Sequence, residues 1–378
     1  MPRFLHTADW QIGKLFGQFD ADEAALLAEE RFAAVERLAQ LAAVHGVDAV
    51  LVAGDVFDAQ TVAERSIHRL FHAMSGFSGR WLLLPGNHDA ALAESVWTRA
   101  ARLNAIPPEV TVCLRPEPVL LEAAGTAVLP APLTQRNTHA DLTDWFAAAA
   151  TPPGFVRIGL AHGSVQGILA EDIDSPNPIA AGCAESARLD YLALGDWHGT
   201  RQIDARTWYA GTPETDRFRA NDSGQALLVD IAAPGALPAV TTVATGRYRW
   251  RELAAELQVG SDLDLLAERL AAFGPADVLR LEVAGRCDLA GHRRLEEAIA
   301  QARGRARSLA ADLSALLLTP TAEDIEALAV DGYLGEVVAE LQAAQQAADP
   351  DAAQTARDAL VLLAGLLDAR GPVAGGRP

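Results

Sequence analysis

The sequence predicts an α/β fold in which a sheet is covered by helices on both faces. Two observations predict it. Continuous apolar runs at 48–54 and 80–86 lack the polar alternation of a strand with one face in water, as expected of strands buried on both faces. Helical patterns at 22–44 and 62–76 separate and follow these runs, and such alternation of strands and helices is typical of α/β proteins.

The other elements of this first part follow in order. A strand at 2–8 precedes the helix at 22–44, in which Phe32, Val35 and Ala39 share one face at a spacing of three to four residues. A further helix is predicted at 91–103. Short strands and hairpins come next, at 126–132, 154–163, 189–195 and 207–212, with a surface loop rich in Pro, Asp and Asn at 171–178.

The character of the chain changes after Thr245. An alternating strand at 276–285, a helix near 290–303 and a strand near 305–313 predict a small separate α/β unit. Beyond Pro320 the sequence is rich in Ala, Leu and Glu, and helices are predicted at 322–347 and 351–369. The predicted domains are therefore 1–245, 246–318 and 319–378, the last of them a helical segment.

Charge limits the kinds of partner. The net charge is −19, from 31 basic and 50 acidic residues, so the protein is not expected to coat nucleic acid through a general positive field. Residues 247–307 are the exception, with 11 basic side chains, all arginine, against 10 acidic ones. Contacts to a polyanion are expected there or at bound metal ions. Arg247, Arg249 and Arg251 share one face of a strand, which is either a phosphate contact or a solvated edge.

The sequence also indicates a compartment. No apolar run approaches the roughly 20 residues that a membrane-spanning helix needs, and the first residues lack the pattern of a secretory signal. Cys113, Cys183 and Cys287 are an odd number of widely spaced cysteines without a metal-ligand or redox motif. We expect a cytoplasmic protein with reduced cysteines and no membrane attachment.

Polar residues follow the ends of five predicted strands. They are Asp9 and Gln11; Asp55 and Asp58; Asn87, His88 and Asp89; His162; and Asp196 and His198. Ligands of open α/β sheets bind at the carboxyl ends of the strands, so these side chains are expected to converge. The set contains no serine or cysteine nucleophile, and its crowded carboxylates would repel one another unless cations neutralised them. The pattern predicts a pair of divalent metal ions.

Four short motifs carry a more specific resemblance. GDVFD at 54–58 and GNHD at 86–89, with AHG at 161–163 and GDWH at 195–198, resemble the calcineurin-like binuclear metallophosphoesterases. Within that family the opening FLHTADWQIGK and the later WYAGTPETDRF resemble the SbcD-type DNA repair nucleases. The resemblance covers roughly residues 1–230. It implies a β-sandwich flanked by helices at 1–245, with an α/β cap over the active site at 246–318 and a C-terminal helical tail.

The resemblance also implies a set of metal ligands. The first metal would be bound by Asp9, Gln11 and His198, and the second by Asn87, His162 and Asp196, with Asp55 bridging both. His88 would lie beside the scissile phosphate as a proton donor or electrostatic stabiliser.

Two positions depart from the family pattern, which usually has histidine where Gln11 and Asp196 stand. Gln11 would ligate weakly through its amide oxygen or remain outside the ligand set, whereas Asp196 supplies an anionic oxygen. Five oxygen donors and two imidazoles suit Mn²⁺ better than Zn²⁺, with Mg²⁺ or iron as alternatives.

The expected function is a Mn²⁺-dependent DNA nuclease, acting as an endonuclease on single-stranded DNA, with DNA repair as a candidate role. The helical tail differs from what docking onto an SbcC-type ATPase would require, which disfavours that partner. Two alternatives stay open: a hydrolase of small phosphodiesters, and a non-catalytic scaffold whose metal site has decayed. Trp10 and Trp197, each next to proposed ligands, either stack on bases or pack in the core.

Overall fold

The computed structural model describes residues 1–168, 176–319 and 333–368, in two compact units, Met1–Arg247 and Tyr248–Pro378. The loop predicted at 171–178 and the helices predicted at 322–347 and 351–369 lie partly outside the described residues. The cap and the helical tail, which the sequence separates at 318, belong to one compact unit. The predicted domain boundaries themselves stay predictions.

The described strands of the first unit are short and lie in two main sheets. In chain order they are β1 (Arg3–Thr7), β2 (Ala49–Val52), β3 (Arg80–Leu83), β4 (Val110–Val112), β5 (Val119–Leu121), β6 (Thr126–Ala131), β7 (Val156–His162), β8 (Ser164–Val165), β9 (Pro178–Ile179), β10 (Tyr191–Gly195), β11 (Arg201–Gln202), β12 (Thr207–Tyr209), β13 (Gln225–Asp230) and β14 (Ala239–Ala244).

The first sheet has the order β14-β13-β1-β2-β3-β4 and the second the order β11-β12-β10-β7-β6-β5. Within the first sheet β1, β2, β3 and β4 run parallel, and β13 and β14 are antiparallel additions. In the second sheet β6, β7, β10 and β12 run parallel, and β5 and β11 pair antiparallel at the edges. Parallel strands end at the same edge of a sheet, so each sheet presents its loops at one end.

Helices cover the outer faces of the two sheets. Those of the first unit are α1 (Ala21–His45), α2 (Glu64–Ala73), α3 (Val96–Arg102) and α4 (Cys183–Ser186). The first three pack on the first sheet through a core that includes Phe32, Ile67 and Trp97. The turn α4 contributes Cys183 and Ala184 to the core on the outer face of the second sheet.

The inner faces of the two sheets pack on each other. Phe4, Leu51 and Leu82 from the first sheet meet Val128 and Ile158 from the second in one fully buried cluster. Burying the strands on both faces explains why they read as continuous apolar runs. The predicted β-sandwich flanked by helices is confirmed.

The second unit contains a three-stranded parallel sheet in the order β15 (Arg249–Leu257), β16 (Asp277–Cys287) and β17 (Ser308–Leu318). The helices α5 (Gly260–Ala271) and α6 (Leu289–Arg305) form the crossovers that parallel strands require. Their Leu266 and Leu295 pack against Leu281 in one core. Two further helices follow, α7 (Tyr333–Ala344) and α8 (Pro350–Asp368).

One predicted boundary is wrong. The helix expected at 91–103 begins only at Val96, because Ser95 caps it. The Ser95 side chain accepts from the backbone nitrogen of Thr98, and the Thr98 hydroxyl bonds back to Ser95. This reciprocal cap satisfies the free donors of the first turn and excludes the preceding residues from the helix.

No helix among the described residues is long and apolar enough to cross a membrane.

Candidate metal centre

The side chains that the sequence singled out lie at the carboxyl ends of strands from both sheets. Asp9 and Gln11 follow β1, Asp55 follows β2, and Asn87 and His88 follow β3. His162 is the last residue of β7, and Asp196 and His198 follow β10. Because the two sheets pack face to face, five strand ends meet at one place.

The backbone is strained at this place. Positive φ angles occur at five of the seven proposed ligands, which are Asp9 (54°), Gln11 (43°), Asp55 (52°), Asp196 (105°) and His198 (59°). Left-handed backbone costs an L-residue roughly 1–2 kcal/mol. Such strain is typical of sites where side-chain direction matters more than local stability.

Two glycines allow the chain to approach the ligands closely. A Cβ atom on Gly54 would lie 2.1 Å from Nδ1 of His162, and one on Gly86 would lie 2.2 Å from Oδ1 of Asp55. Any larger residue at either position would displace a proposed ligand. The first glycine of GDVFD and that of GNHD are therefore required by contact with the site itself.

The centre of the proposed metal site is formed by Asp9, Asp55 and His162, and each of them offers a ligand atom within 4.8 Å of the others. Nε2 of His162 lies 3.5 Å from Oδ1 of Asp55. On the other side of the ring, Nδ1 donates to the carbonyl oxygen of Ala53 at 2.8 Å. This bond leaves Nε2 with the free lone pair in the neutral ring, as a metal ligand requires.

The Asn87 amide points at the same spot. One end of it lies 2.9 Å from Nε2 of His162 and 3.1 and 3.2 Å from the two carboxylate oxygens of Asp55. If that end is the nitrogen, it donates to Asp55. If it is the oxygen, the amide and the carboxylate repel each other unless a cation lies among them. The second arrangement is the one that a metal ligand adopts.

Asp196 joins the two sheets across the site. Its Oδ1 lies 3.6 Å from Nε2 of His162, and its Oδ2 accepts from the Ser164 hydroxyl at 3.3 Å. Its backbone N–H donates to both carboxylate oxygens of Asp9, at 3.1 and 3.2 Å. Asp196 therefore adds a third carboxylate beside the same imidazole.

Gln11 lies beside His198, but its amide is turned. The Gln11 amide nitrogen is 3.2 Å from Nε2 of His198, whereas its oxygen accepts from Nζ of Lys14 at 3.3 Å. Only the oxygen can bind a metal ion. That Gln11 is a ligand thus stays a prediction, and it requires the amide to turn about its last side-chain bond.

Asp216, a buried carboxylate that the sequence reasoning missed, supports this side of the site. Its Oδ2 lies 3.4 Å from Nδ1 of His198 and accepts a hydrogen bond from Lys14. Burial opposes ionisation, but the hydrogen bond with His198 and the charges of Arg31 and Lys14 hold the pKa of Asp216 well below its usual range. Asp216 therefore remains an anion that pairs with Arg217, whose guanidinium donates to Nδ1 of His198 at 2.9 Å, and that acts on Gln11 through Lys14.

Arg31 is a second residue that the sequence reasoning missed. It lies on α1 and is only 2% exposed. Its guanidinium donates to the carbonyl oxygens of Asp9 at 2.9 Å and Glu214 at 3.2 Å, and to the Thr212 hydroxyl at 2.9 Å. These bonds fix the end of β1 to the loop that follows β12. Sequence offers a weak signal for it, a charged residue next to the apolar face of a helix.

His88 lies at the edge of the site, with its side chain 29% exposed. Its backbone N–H donates to Oδ1 of Asp55 at 2.9 Å, and its Nδ1 donates to the carbonyl oxygen of Asp58 at 2.7 Å. Nε2 is then the ring nitrogen that can exchange a proton, and it lies 4.0 Å from Oδ2 of Asp55.

Asp89 connects the motifs GNHD and GDVFD through hydrogen bonds. It is fully buried and accepts from the backbone nitrogens of Gly86 at 2.7 Å and Phe57 at 3.1 Å. Burial, together with the charge of Asp55, raises the pKa of Asp89 to about 7. Asp89 does not cap the following helix, because Ser95 occupies that position.

The charge of the site fits a divalent cation. Burial raises the pKa of Asp9, and the neighbouring carboxylates of Asp55 and Asp196 raise it further. Burial would lower the pKa of His162, but Asp55, Asp196 and Asp9 raise it to about 9. The cluster thus attracts positive charge strongly enough to hold a proton on an enclosed imidazole. Carboxylate, amide and imidazole donors around this point form a set that binds divalent metal ions.

The two tryptophans differ in environment. Trp10 is 1% exposed, and its indole nitrogen donates to the Thr7 hydroxyl at 3.0 Å, so it packs in the core. Trp197 is partly exposed, and the guanidiniums of Arg201 and Arg219 lie over its ring.

The three arginines expected to meet phosphates are engaged with carboxylates. Arg247 forms an ion pair with Glu30 at 3.2 Å. Arg249 and Arg251 both pair with Asp277, at 3.1 and 3.3 Å. Each arginine therefore has a carboxylate within ion-pair distance, but Arg249 and Arg251 share one and all three side chains are at least half exposed. The phosphate-contact interpretation stays a prediction.

Comparisons with known proteins agree with this geometry. The profile of the calcineurin-like phosphoesterase family matches residues 2–232. The SbcD subunit of the nuclease SbcCD from Escherichia coli K12 is 28% identical over 56% of this chain and 60% of its own length, and that from Bacillus subtilis is 26% identical over 62% and 67%. The SbcD subunit from Rhodobacter capsulatus is 35% identical over 24% of this chain and 22% of its own length.

The chain thus matches less than two thirds of the length of the relatives from Rhodobacter capsulatus and Escherichia coli. Among solved structures, TT1561 of Thermus thermophilus covers 65% of this chain at 14% identity and a TM-score of 0.41, which is too low to add to the assignment. The family resemblance predicted from the motifs is confirmed by the profile match and by the SbcD relatives. The chain belongs to the calcineurin-like phosphoesterase family, and it is a hydrolase of the metallophosphoesterase type.

Proposed function

We propose that this protein is a Mn²⁺-dependent phosphodiesterase that cleaves DNA, acting as an endonuclease on single strands. The observation that carries the proposal is the meeting of three carboxylates around one enclosed imidazole, with His88 at the open side. A decayed scaffold site has no need to keep these buried charges together. The similarity to subunits of a nuclease supports a nucleic-acid substrate over a small diester.

The proposed ligands are Asp9, Gln11, Asp55, Asn87, His162, Asp196 and His198. Divalent cations bound by this set would lower the pKa of a water molecule and neutralise the charge of a phosphodiester. Their oxygen-rich donor set favours Mn²⁺. The chain's own contribution is to orient the donors, through the bond from His162 to Ala53 and the contact of His198 with Asp216.

His88 has the position of a proton donor. In phosphodiester hydrolysis a water molecule gives up a proton to solvent, its oxygen forms a bond to phosphorus, the bond to the leaving oxygen breaks, and that oxygen takes a proton. Nδ1 of His88 donates to the Asp58 carbonyl, so the imidazolium form of His88 would supply this proton from Nε2. General acid catalysis of this kind contributes about 10²–10⁴-fold.

The preference for single strands rests on the second unit. From the sequence, the helical tail is expected to differ from what docking onto an SbcC-type ATPase requires, and without such a motor processive digestion of duplex is disfavoured. We therefore propose cutting within accessible single strands, in the cytoplasm, without an obligate ATPase partner.

Digestion of three substrates tests the proposal. Circular single-stranded DNA, linear duplex and bis-p-nitrophenyl phosphate are each incubated with the protein and Mn²⁺, Mg²⁺ or Zn²⁺. We expect the circle to be opened fastest, and with Mn²⁺. Hydrolysis of the small diester without any cleavage of DNA would contradict the proposal in favour of a small-molecule substrate.

Replacing Asp216 with asparagine tests the support of the first metal position. The variant keeps the shape of the side chain but loses the charge that orients His198 and Lys14. We expect one of the two Mn²⁺ ions to bind about 10–100-fold more weakly, the usual effect of losing a carboxylate behind a ligating histidine. Calorimetric titration of the metal-free protein measures this.

Asp222→Asn is the matched control, since Asp222 is an exposed carboxylate on the same loop. Unchanged affinity for both ions in a folded Asp216→Asn protein would mean that this residue does not act on the metal site.

A further inference from the structure

Trp197 holds two arginines beside the candidate metal centre. The residue stands between Asp196 and His198 in the chain, and its ring is partly exposed. The guanidinium carbon of Arg201 lies 5.3 Å from the ring centroid and that of Arg219 lies 4.8 Å from it. Both distances are within the range of a cation–π interaction. We call these three residues the Trp197 platform.

The fold fixes this arrangement from two directions. Arg201 begins β11, directly after the turn that follows β10, and Arg219 lies in the loop between β12 and β13. A Cβ atom on Gly199 would lie 2.0 Å from the carbonyl oxygen of Asn221, so the turn and the loop are in backbone contact. The backbone nitrogen of Thr200 also donates to the carbonyl oxygen of Asp222 at 3.2 Å. The two arginines are therefore held together by the main chain and not only by their side chains.

Neither guanidinium is neutralised within the described part of the chain. No carboxylate there lies within ion-pair distance of Arg201 or Arg219, whereas the neighbouring Arg217 pairs with Asp216 at 3.0 Å. In a protein with a net charge of −19, two arginines that share one aromatic ring and have no carboxylate within ion-pair distance point to an anionic ligand.

The platform lies within reach of the site. The Cα atom of residue 197 is one peptide, 3.8 Å, from those of both neighbouring ligands. Adding the side chain and the distance to the ring places the guanidiniums on the order of 10 Å from the ligands. Successive phosphates of one strand are spaced by about 3.4 Å along the axis of a duplex, and they lie further apart in an extended single strand. The platform is therefore at most about three nucleotides from a phosphate at the metal centre.

We propose that the Trp197 platform binds the phosphates of the nucleic-acid strand that flank the scissile one. Arg201 and Arg219 are the groups that contact the strand, through guanidinium donors to phosphate oxygens. Trp197 is a positioning residue: its ring lies against both guanidiniums and orients them. The inference rests on the proposed function and names the part of the site that selects a polymer over a small diester.

The test compares a polymer with a diester that has no flanking phosphates. The double variant Arg201→Gln/Arg219→Gln is assayed with Mn²⁺ on a 20-nucleotide single strand and on bis-p-nitrophenyl phosphate, over a series of salt concentrations. We expect KM for the strand to rise about tenfold or more, the order of a lost charged hydrogen bond. The slope of log(1/KM) against log salt should become shallower by about 1.4, since each phosphate contact on a single strand contributes about 0.7. The rise in KM for the small diester should be at least ten times smaller than the rise in KM for the strand.

Two further variants separate charge from position. Arg188→Gln removes the same charge at the opposite end of β10, where the residue is exposed, and should leave both substrates unaffected. Trp197→Leu should reproduce the rise in KM for the strand, and Trp197→Phe, which keeps a ring, should restore most of the wild-type value.

The outcomes distinguish the platform from the proposed function. If the wild-type protein cuts DNA and the double variant keeps its KM and salt slope, the platform is wrong and the nuclease proposal stands. If hydrolysis of both substrates falls equally, these arginines support the metal centre and do not bind the strand, and the platform is again wrong. If the wild-type protein hydrolyses only the small diester, both proposals fall together.

Discussion

Replacing Asp55 with asparagine is expected to abolish metal binding and hydrolysis together. Asp55 is 1% exposed, and its carboxylate faces both the imidazole of His162 and the amide of Asn87. Asparagine has the same shape and can still accept the backbone hydrogen bond from His88, but it removes the charge that attracts both ions. Activity should fall at least about 10³-fold, because electrostatic stabilisation by metal ions contributes several kcal/mol.

The fold itself should not suffer from this change. Without metal the carboxylates of Asp9 and Asp55 repel each other, so the melting temperature of the metal-free variant should equal or exceed that of the metal-free wild type. Asp48→Asn is the matched control, since Asp48 lies just before the other end of β2 and should leave activity unchanged. Gln11→Ala should have a smaller effect than Asp55→Asn, because it should weaken the binding of one ion only. Full activity of Asp55→Asn at saturating Mn²⁺ would refute the two-metal site.

Replacing His88 with alanine is expected to slow hydrolysis according to the leaving group. A deoxyribose alkoxide is strongly basic and needs a proton as it departs, whereas p-nitrophenolate leaves readily without one. The loss on DNA should be about 10²–10⁴-fold, the usual contribution of a general acid, and much smaller on bis-p-nitrophenyl phosphate. Metal content should not change. His88→Asn should be no better than His88→Ala, because an amide cannot give up a proton.

His72→Ala provides the comparison, since His72 is an exposed histidine on α2. An equal loss on both substrates, with metal still bound, would assign His88 to stabilising the phosphate and not to protonating the leaving oxygen.

Much of the site could be predicted because its residues follow apolar strands. Asp55 after β2 and His162 at the end of β7 are polar groups at places where a buried strand ends, and parallel strands carry such groups to one edge. The two inner strand faces could be predicted as buried for the same reason. What the pattern gives is the place of each side chain along the chain and not the direction of its donor atoms.

The turned amide of Gln11 shows this limit. Its direction depends on Lys14 and, through it, on Asp216, which lies 202 residues further along the chain than Lys14. No spacing rule connects residues so far apart, and the WYAGTPETDRF motif in which Asp216 stands does not indicate which side chain it contacts. Arg31 escapes notice likewise, because its partners are backbone carbonyls that carry no sequence signal.

Charge patterning in the sequence indicates different arginines for a substrate contact than the three-dimensional contacts do. Arg249 and Arg251 stand out because they alternate along a strand, but Asp277 on the neighbouring strand binds both. Arg201 and Arg219 do not stand out, because 18 positions of sequence separate them and backbone contacts such as that of Gly199 with Asn221 bring their segments together. Partners across a sheet or a loop contact decide which arginines keep a free charge.

Calorimetric titration of the metal-free protein with Mn²⁺ measures directly whether the site binds a pair of ions. We expect two ions bound per wild-type chain, and loss of both in Asp55→Asn, with Asp48→Asn binding as the wild type does. One ion or none in the wild type at saturating Mn²⁺, or two ions still bound by Asp55→Asn, would contradict this expectation.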